Sequence, residues 1–241
     1  MKISRATTLY RQFPPFFATK ILVSEMIRKF LDPKRAGSYA QVGEDRILFH
    51  LVSSSKSRFY VDVGCNHPIE KSNTYLLYQM GWRGLCIDAN PHLIGLFSRV
   101  RPRDICHQAC VGTGSGTVEF LLADESALSH VVGARQVHSD SSRGREIELS
   151  VTSLSSLLTE HSVPNRFGLL SIDLEGLDEE IIRSIDLNRW RPEVIVIELH
   201  GFELLSCASH PVVKHLLEFG YRLDSFSANN AFFVENQSRS N

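Results

Sequence analysis

The sequence predicts an α/β fold: a Rossmann-like sheet of seven mostly parallel strands with an antiparallel hairpin at its C-terminal end. After residue 56, short apolar runs alternate with amphipathic segments, which is typical of βα units around a parallel sheet. Several apolar runs end in an acidic residue, and the last two flank Asn229 and Asn230, as in a hairpin. The 241 residues are 43% hydrophobic and 22% charged, a globular composition that excludes disordered, collagenous and coiled-coil chains.

Apolar runs define the strands of this sheet. They are predicted at 58–63, 84–88, 104–111, 167–174, 193–198, 221–226 and 231–234. Two further runs, 117–122 and 147–151, are predicted as an additional pair, and the polar stretch between them at 139–144 is expected to be a mobile loop.

Helical spacing of apolar residues defines the helices between the strands. These are predicted at 42–55, 92–100 and 210–219, and at the segment in which Leu177, Ile181, Ile182 and Ile185 recur. No repeat or low-complexity linker interrupts the pattern, so 38–241 is expected to form one domain. Residues 1–37 precede it and are expected to be an N-terminal docking segment; a surface contact of 13–31 with a membrane or a partner is the alternative.

Charge and cysteine content limit the partners and the compartment. Lys and Arg total 26 and Asp and Glu 27, so a nucleic-acid backbone is not expected as a partner. The five cysteines include no Cys-x-x-Cys pair, which favours free thiols in a reducing cytoplasm. No signal peptide is recognisable, and no apolar run approaches the ~20 residues of a membrane span.

Acidic residues follow the first two predicted strands, where open α/β sheets bind ligands. Asp62 and Gly64 end the first strand, and Asp88 ends the second, 24 residues after Gly64, where nucleotide-binding folds place a carboxylate on ribose hydroxyls. The turn contains one glycine, and Pro68 lacks an N–H, so a dinucleotide pyrophosphate is disfavoured. A cationic ligand without phosphates fits better, and S-adenosyl-L-methionine meets that description.

Further candidate residues lie in the loops after these strands. Asn66 is expected either to contact the methionine end of the cofactor or to occupy a left-handed turn. His67 and Asn73 are expected either to line an acceptor pocket or to satisfy loop backbone groups. For Asp88, the alternative to a ribose contact is a helix N-cap.

The fourth and fifth strands of the sheet also end in polar residues. Asp173 and Glu175 are two residues apart, so as strand residues they would point to the same side and form a carboxylate pair. Glu198 and His200 end the next strand, where a histidine beside carboxylates is either a general base or a hydrogen-bonding partner. The acids at 178–180 are expected mainly to favour the helix dipole. The spacing of the histidines predicts no metal site; a divalent ion on the strand-end acids and His200 is the alternative.

The sequence resembles the FkbM family of S-adenosylmethionine-dependent methyltransferases. The resemblance rests on seven segments in order between residues 39 and 201: QVGED (41–45), VDVGCNHP (61–68), SNTY (72–75), GWRG (81–84), IDANP (87–91), SIDLEGLD (171–178) and VIE (196–198). Two positions depart from the family pattern. Cys65 stands where Ala is common, and Asp88-Ala89 stands where Glu-Pro is usual, so the carboxylate is kept on a shorter side chain.

The resemblance implies a class I methyltransferase fold for 38–241 and transfer of the sulfonium methyl to a hydroxyl of a sugar or natural product. Family members of similar length include enzymes that 2-O-methylate fucose on nodulation oligosaccharides, so a deoxyhexose acceptor is expected. Asp173 or His200 is the expected general base, with Glu175 beside them and Glu198 on the acceptor side. Specificity is expected in 123–145 and in the N-terminal segment. The alternatives are a non-catalytic protein that binds adenosyl nucleosides and, less favoured because the glycines are missing, a nicotinamide-dependent oxidoreductase.

Overall fold

The structure is a computed structural model of the 241-residue chain. It describes residues 37–123, 130–131, 144–174 and 176–236, together with Tyr10, residues 14–16, Thr19, Lys20 and Val23. The chain divides into two compact units, Met1–Ser38 and Tyr39–Asn241. In the first unit, the Thr19 hydroxyl lies 2.9 Å from the Tyr10 hydroxyl and donates to the carbonyl of Pro15. The docking role of 1–37 stays a prediction.

The second unit is organised around one seven-stranded sheet. Its strands are β1 (Phe59–Val63), β2 (Arg83–Asp88), β3 (Ile105–Gln108), β8 (Arg166–Ile172), β9 (Arg191–Glu198), β10 (Tyr221–Ser227) and β11 (Asn230–Glu235). Their spatial order is β10-β11-β9-β8-β1-β2-β3. All neighbours are parallel except β11, which runs antiparallel to both β9 and β10. The predicted mostly parallel sheet with its antiparallel C-terminal hairpin is confirmed.

Helices cover both faces of the sheet. They are α1 (Glu44–Leu51), α2 (Tyr75–Gln79), α3 (Pro91–Val100), α4 (Leu154–Glu160), α5 (Asp178–Ser184) and α6 (Pro211–Glu218), with a 3-10 helix at Leu204–Ser209. Because successive strand residues face opposite sides, Val61 packs with α4, α5 and α6 while Tyr60 packs with α1, α2 and α3. The result is a three-layer α/β/α core. No helix in the described ranges is both long enough and apolar enough to cross a membrane.

A second, smaller sheet interrupts the regular alternation between β3 and β8. It contains β4 (Cys110–Val111), β5 (Thr117–Ala123), β6 (His130–Val131) and β7 (Gly144–Thr152), in the order β4-β7-β5-β6. The predicted pair 117–122 and 147–151 is its central antiparallel pair, β5 with β7. The predicted mobile loop lies mostly outside the described residues, as does most of 123–145.

Three predicted elements have different bounds in the structure. The run 104–111 is not one strand, because the chain leaves β2 after Gln108 and its last two residues pair with β7 instead. The helix predicted at 42–55 is shorter, Glu44–Leu51. The strand predicted at 167–174 ends at Ile172, where the Asp173 N–H still donates to the Val63 carbonyl at 3.0 Å before the chain turns away from the sheet.

Candidate functional site

The carboxyl ends of β1 and β2 form one hydrogen-bonded unit around Asp88. Its two carboxylate oxygens accept from the backbone N–H of Asn66 at 2.9 Å and of Asn90 at 2.8 Å. The side chain of Asn90, not that of Asp88, caps α3 by accepting from the His92 N–H at 3.0 Å. The alternative of Asp88 as the helix N-cap is therefore wrong, and its carboxylate instead shapes the turn after β1.

The turn after β1 also requires its glycine. Gly64 has φ +74°, and a Cβ there would lie 1.8 Å from the backbone carbonyl oxygen of Asp173. Two strand ends therefore meet at backbone distance, which only a residue without a side chain permits. Asn66 follows with φ +49°, so it occupies the left-handed turn that was one of its two expected roles.

Asp62 lies beneath this turn. It is 3% exposed and accepts from the Thr74 hydroxyl at 2.5 Å. Burial raises its pKa, whereas Arg101 and the hydrogen bonds from Thr74 and Ser171 oppose that rise. Asp62 is therefore a buried carboxylate bonded to the Thr74 hydroxyl, and its contact with a cofactor stays a prediction.

A buried arginine, which the sequence analysis did not identify, organises this region. Arg101 is 0% exposed; its Nε donates to Asp104 at 2.7 Å, and its Nη2 donates to the hydroxyls of Tyr60 at 2.6 Å and Thr74 at 3.0 Å. Its Nη1 lies 3.4 Å from the carbonyl oxygen of Pro68. One guanidinium therefore connects β1, the start of α2, the end of α3 and the loop after β1.

Asp104 accepts further hydrogen bonds in this buried network. The hydroxyl of Tyr60 donates to its carboxylate at 2.8 Å, and the Gly84 N–H donates at 2.9 Å. The side chains of Arg101 and Asp104 are both fully buried, so the pair is shielded from water. No local pattern signals this network, because its members are spread over more than forty residues and buried charges are rare.

The loop after β8 is held by Asp178, the second residue whose role the sequence analysis missed. Its carboxylate accepts from the backbone N–H of Leu174 at 2.9 Å and of Gly176 at 3.1 Å. Burial raises the pKa of Asp178, while these hydrogen bonds and nearby His200 lower it. The interpretation of Asp178 as a helix-dipole residue is therefore incomplete: it fixes the turn that follows Asp173.

The expected carboxylate pair does not follow from strand geometry. Because β8 ends at Ile172, Asp173 lies after the strand, and alternation of side chains no longer applies. Glu175 lies outside the described residues. Asp173, Glu198 and His200 do not form a metal-binding group of three in the part of the chain that the structure describes.

Glu198 and His200 form a side-chain pair at the end of β9. His200 Nε2 lies 3.2 Å from Glu198 Oε2, with the histidine 53% exposed and the glutamate 15% exposed. The imidazole and the carboxylate therefore lie close to each other where β9 ends. The role of His200 as a general base stays a prediction.

His67 and Asn73 both have partners near the turn. His67 Nδ1 accepts from the backbone N–H of Ile69 at 3.2 Å and of Glu70 at 2.9 Å, so an acceptor contact would have to use Nε2. Asn73 Nδ2 donates to the Ser171 hydroxyl at 3.4 Å, which places it beside the strand that leads to Asp173.

Burial dominates the electrostatics of the strand-end acids. It raises the pKa of Asp88, the Asp62 carboxylate raises it further, and the N–H groups of Asn90 and Asn66 oppose the change. The carboxyl edge of β1 and β2 therefore concentrates negative charge in a buried setting. Such a site favours a ligand that carries a positive charge or donates hydroxyl groups.

Comparisons with known proteins identify the family of this chain. No curated protein matches the chain. Among solved structures, it is similar to a TehB-like SAM-dependent methyltransferase from Corynebacterium glutamicum, with 14% identity and a TM-score of 0.38 over 88% of this chain and 97% of that chain. Residues 62–223 match the family described as the methyltransferase FkbM domain, which confirms the resemblance of the sequence motifs. The chain belongs to the FkbM methyltransferase family.

Proposed function

We propose that the protein is an S-adenosyl-L-methionine-dependent O-methyltransferase whose acceptor is a hydroxyl of a sugar or glycan-type small molecule. The observation that carries the proposal is the carboxylate of Asp88, a half-buried residue at the end of β2 that accepts a hydrogen bond from the Asn66 N–H in the turn after β1 at 2.9 Å. Family membership supplies methyl transfer; Asp88 and the turn supply the cofactor site.

The residues at this edge fit the proposed cofactor. Each carboxylate oxygen of Asp88 accepts one backbone N–H and has a second lone pair for a ribose hydroxyl. Gly64 and Asn66 would hold the methionine part, and the negative charge of Asp88 and Asp62 suits its ammonium and sulfonium groups. No pyrophosphate-binding glycine loop is needed, because this ligand carries no phosphate.

His200 is the proposed general base. The bound cofactor supplies an electrophilic methyl group on a positively charged sulfur. A sugar hydroxyl is a poor nucleophile, so removal of its proton by a positioned base is worth about 10²–10⁴-fold in rate. His200 takes that proton, the Glu198 carboxylate 3.2 Å from its Nε2 favours the resulting imidazolium, and Asp173 is the second candidate on the same edge. Asn73, and His67 through Nε2, are proposed to contact the acceptor.

Calorimetric titration with S-adenosylhomocysteine tests the cofactor site. We expect the Asp88→Asn and Asp88→Ala variants to bind about 10- to 100-fold more weakly than wild type, equivalent to ~1.5–3 kcal/mol for a hydrogen bond to a charged group. Asp224→Ala, an exposed aspartate in the C-terminal hairpin, is the matched control and should bind normally. Absence of binding to folded wild-type protein would refute the proposal, and binding of NADH instead would favour an oxidoreductase.

Methyl transfer to sugar acceptors tests the reaction. The finer proposal is 2-O-methylation of a deoxyhexose such as fucose, so a fucoside should be methylated and its 2-deoxy analogue should not. His200→Gln should lower kcat by about 10²–10⁴-fold without changing cofactor affinity, and the rate should lose its dependence on a basic group. Cofactor binding without transfer to any hydroxyl acceptor would favour the non-catalytic adenosyl-binding alternative.

A further inference from the structure

Two histidines and a glutamate meet where β3 and the end of α4 come together. His107 Nδ1 and His161 Nε2 are 2.9 Å apart, and Glu160 Oε1 lies 3.9 Å from the same His161 nitrogen. The three ligand atoms lie within 4.8 Å of one another. In the described ranges no other group of three or more histidine, cysteine or acidic side chains meets this criterion.

The fold brings these residues together from rigid elements. His107 lies in β3 opposite Ile87 of β2, so both side chains face the layer that contains the leucines of α4. Helix α4 ends at Glu160, and His161 closes it through a 3.0 Å hydrogen bond from its N–H to the Leu157 carbonyl. The cluster therefore joins the edge strand of the main sheet to the end of a packed helix.

We infer that His107, Glu160 and His161 bind a divalent transition-metal ion of the zinc class. Imidazole suits Zn²⁺, Ni²⁺ and Cu²⁺, whereas Mg²⁺ and Ca²⁺ prefer oxygen ligands. Zn–N distances of about 2.0–2.1 Å in a tetrahedron place two ligand nitrogens about 3.3–3.4 Å apart. The two imidazole nitrogens, now 2.9 Å apart, would therefore have to move apart by roughly half an ångström, which small side-chain rotations allow.

Exposure allows the ion to enter. The side chain of His161 is 19% exposed and that of Glu160 is 59% exposed. Without metal, the two imidazoles share one N–H···N hydrogen bond, which requires at least one neutral ring. Two neutral imidazoles and one carboxylate provide three ligands, and water completes the coordination.

The position of the cluster gives the ion a structural role. His107 and His161 are 54 residues apart, and the whole second sheet, β4 to β7, lies between them in the chain. An ion bound to both histidines therefore closes the base of this insertion. A bound metal ion that links the two ends of a long loop favours the folded protein over the unfolded chain, so metal binding should raise the Tm of the protein. This inference does not depend on the proposed methyl-transfer activity.

Metal titration of the full-length protein after chelator treatment tests the inference. We expect one Zn²⁺ per chain by calorimetry and a rise in Tm on addition of Zn²⁺. Bound Co²⁺ should give visible absorption bands without the near-ultraviolet charge-transfer band of thiolate ligands. His107→Gln and His161→Gln should abolish the site; Glu160→Gln should weaken it by at least the ~10- to 100-fold that loss of an outer-shell partner costs.

Two controls make the test decisive. Glu160 is exposed, so Glu160→Gln should keep the fold, which circular dichroism will verify for every variant. His50→Gln replaces an exposed histidine in α1 and should bind metal as wild type does. Millimolar or absent binding, equal binding by all variants, or a thiolate charge-transfer band, which would implicate Cys106 or Cys110, would each overturn the inference.

Discussion

Replacing Arg101 by methionine should cost the protein a large part of its stability. The guanidinium is fully buried and makes an ion pair with Asp104 and hydrogen bonds to Tyr60 and Thr74. Methionine fills much of the volume but provides no donor, so the Asp104 carboxylate would remain buried without its cation. It would keep the Tyr60 hydroxyl, the Gly84 N–H and the weak Cys86 thiol as donors, none of which carries a positive charge.

The structure sets the magnitude of this loss. The guanidinium loses its hydrogen bonds to the Tyr60 and Thr74 hydroxyls. At ~1.5–3 kcal/mol for each hydrogen bond to a charged group, their loss lowers the free energy of unfolding by about 3–6 kcal/mol. Breaking a buried ion pair by removal of one partner typically costs about 3–5 kcal/mol, which agrees. Arg101 also opposes the effect of burial on the pKa of Asp62, so that pKa should rise further in the variant. The part of the deficit that comes from Asp62 should therefore be full at neutral pH, shrink as pH falls through the raised folded pKa and vanish below 3.8, where folded and unfolded states both hold the proton.

Urea unfolding monitored by circular dichroism measures the effect. Arg99→Met, an exposed arginine in the last turn of α3, is the matched control and should change stability by no more than about 0.5 kcal/mol. The double variant Arg101→Met/Asp104→Leu should recover part of the loss, because the Asp104 charge is then no longer buried without its partner. A loss below about 1 kcal/mol for Arg101→Met alone would refute the reasoning.

Two further predictions concern the turn after β1 and the C-terminal hairpin. Gly64→Ala should lower the free energy of unfolding, measured with urea, by at least about 3 kcal/mol, because the new Cβ clashes with the backbone and the residue has a left-handed φ. Gly43→Ala is the control: its φ is +103° but the space around it is open, so it should lower the free energy of unfolding only by the ~1–2 kcal/mol of the unfavourable φ. Equal losses would contradict the close approach. The two arginines that bond Glu235 hold its pKa below 4.5 against the opposing effect of burial. Glu235→Gln should therefore be less stable by about 1–2 kcal/mol near pH 7, and this deficit should shrink as pH falls below 4.5, because that stability is lost as pH falls through the folded pKa; a deficit independent of pH would contradict it.

Much of the fold was predictable because its signals are local. Continuous apolar runs located the strands of the main sheet, and helical spacing located α3, α5 and α6. The pair Asn229 and Asn230 marked the hairpin, which the structure contains as β10 and β11. Each of these sequence patterns depends on residues within one helix, strand or turn, so it predicts that element without knowledge of the elements that pack against it.

The end of β8 shows where local signals fail. The apolar run continues to Leu174, but the chain leaves the sheet after Ile172. The carboxylate of Asp178 accepts two backbone N–H groups of the following turn, and Gly176 adopts φ +105° there. Strand propensity does not reveal this competing arrangement, so the strand alternation from which the Asp173 and Glu175 pair was predicted does not extend to Asp173.

The sequence by itself determined the family, the sheet and the strand ends at which Gly64, Asp88, Asp173 and His200 lie, because periodicity and motif order are properties of the chain. Only the tertiary structure decided which polar side chains meet. Arg101 contacts residues from four separate elements, and His107 meets His161 across 54 residues. In the sequence, a buried arginine looks like any exposed one. Its burial depends on how distant segments pack together, and no periodic pattern in the sequence predicts that packing.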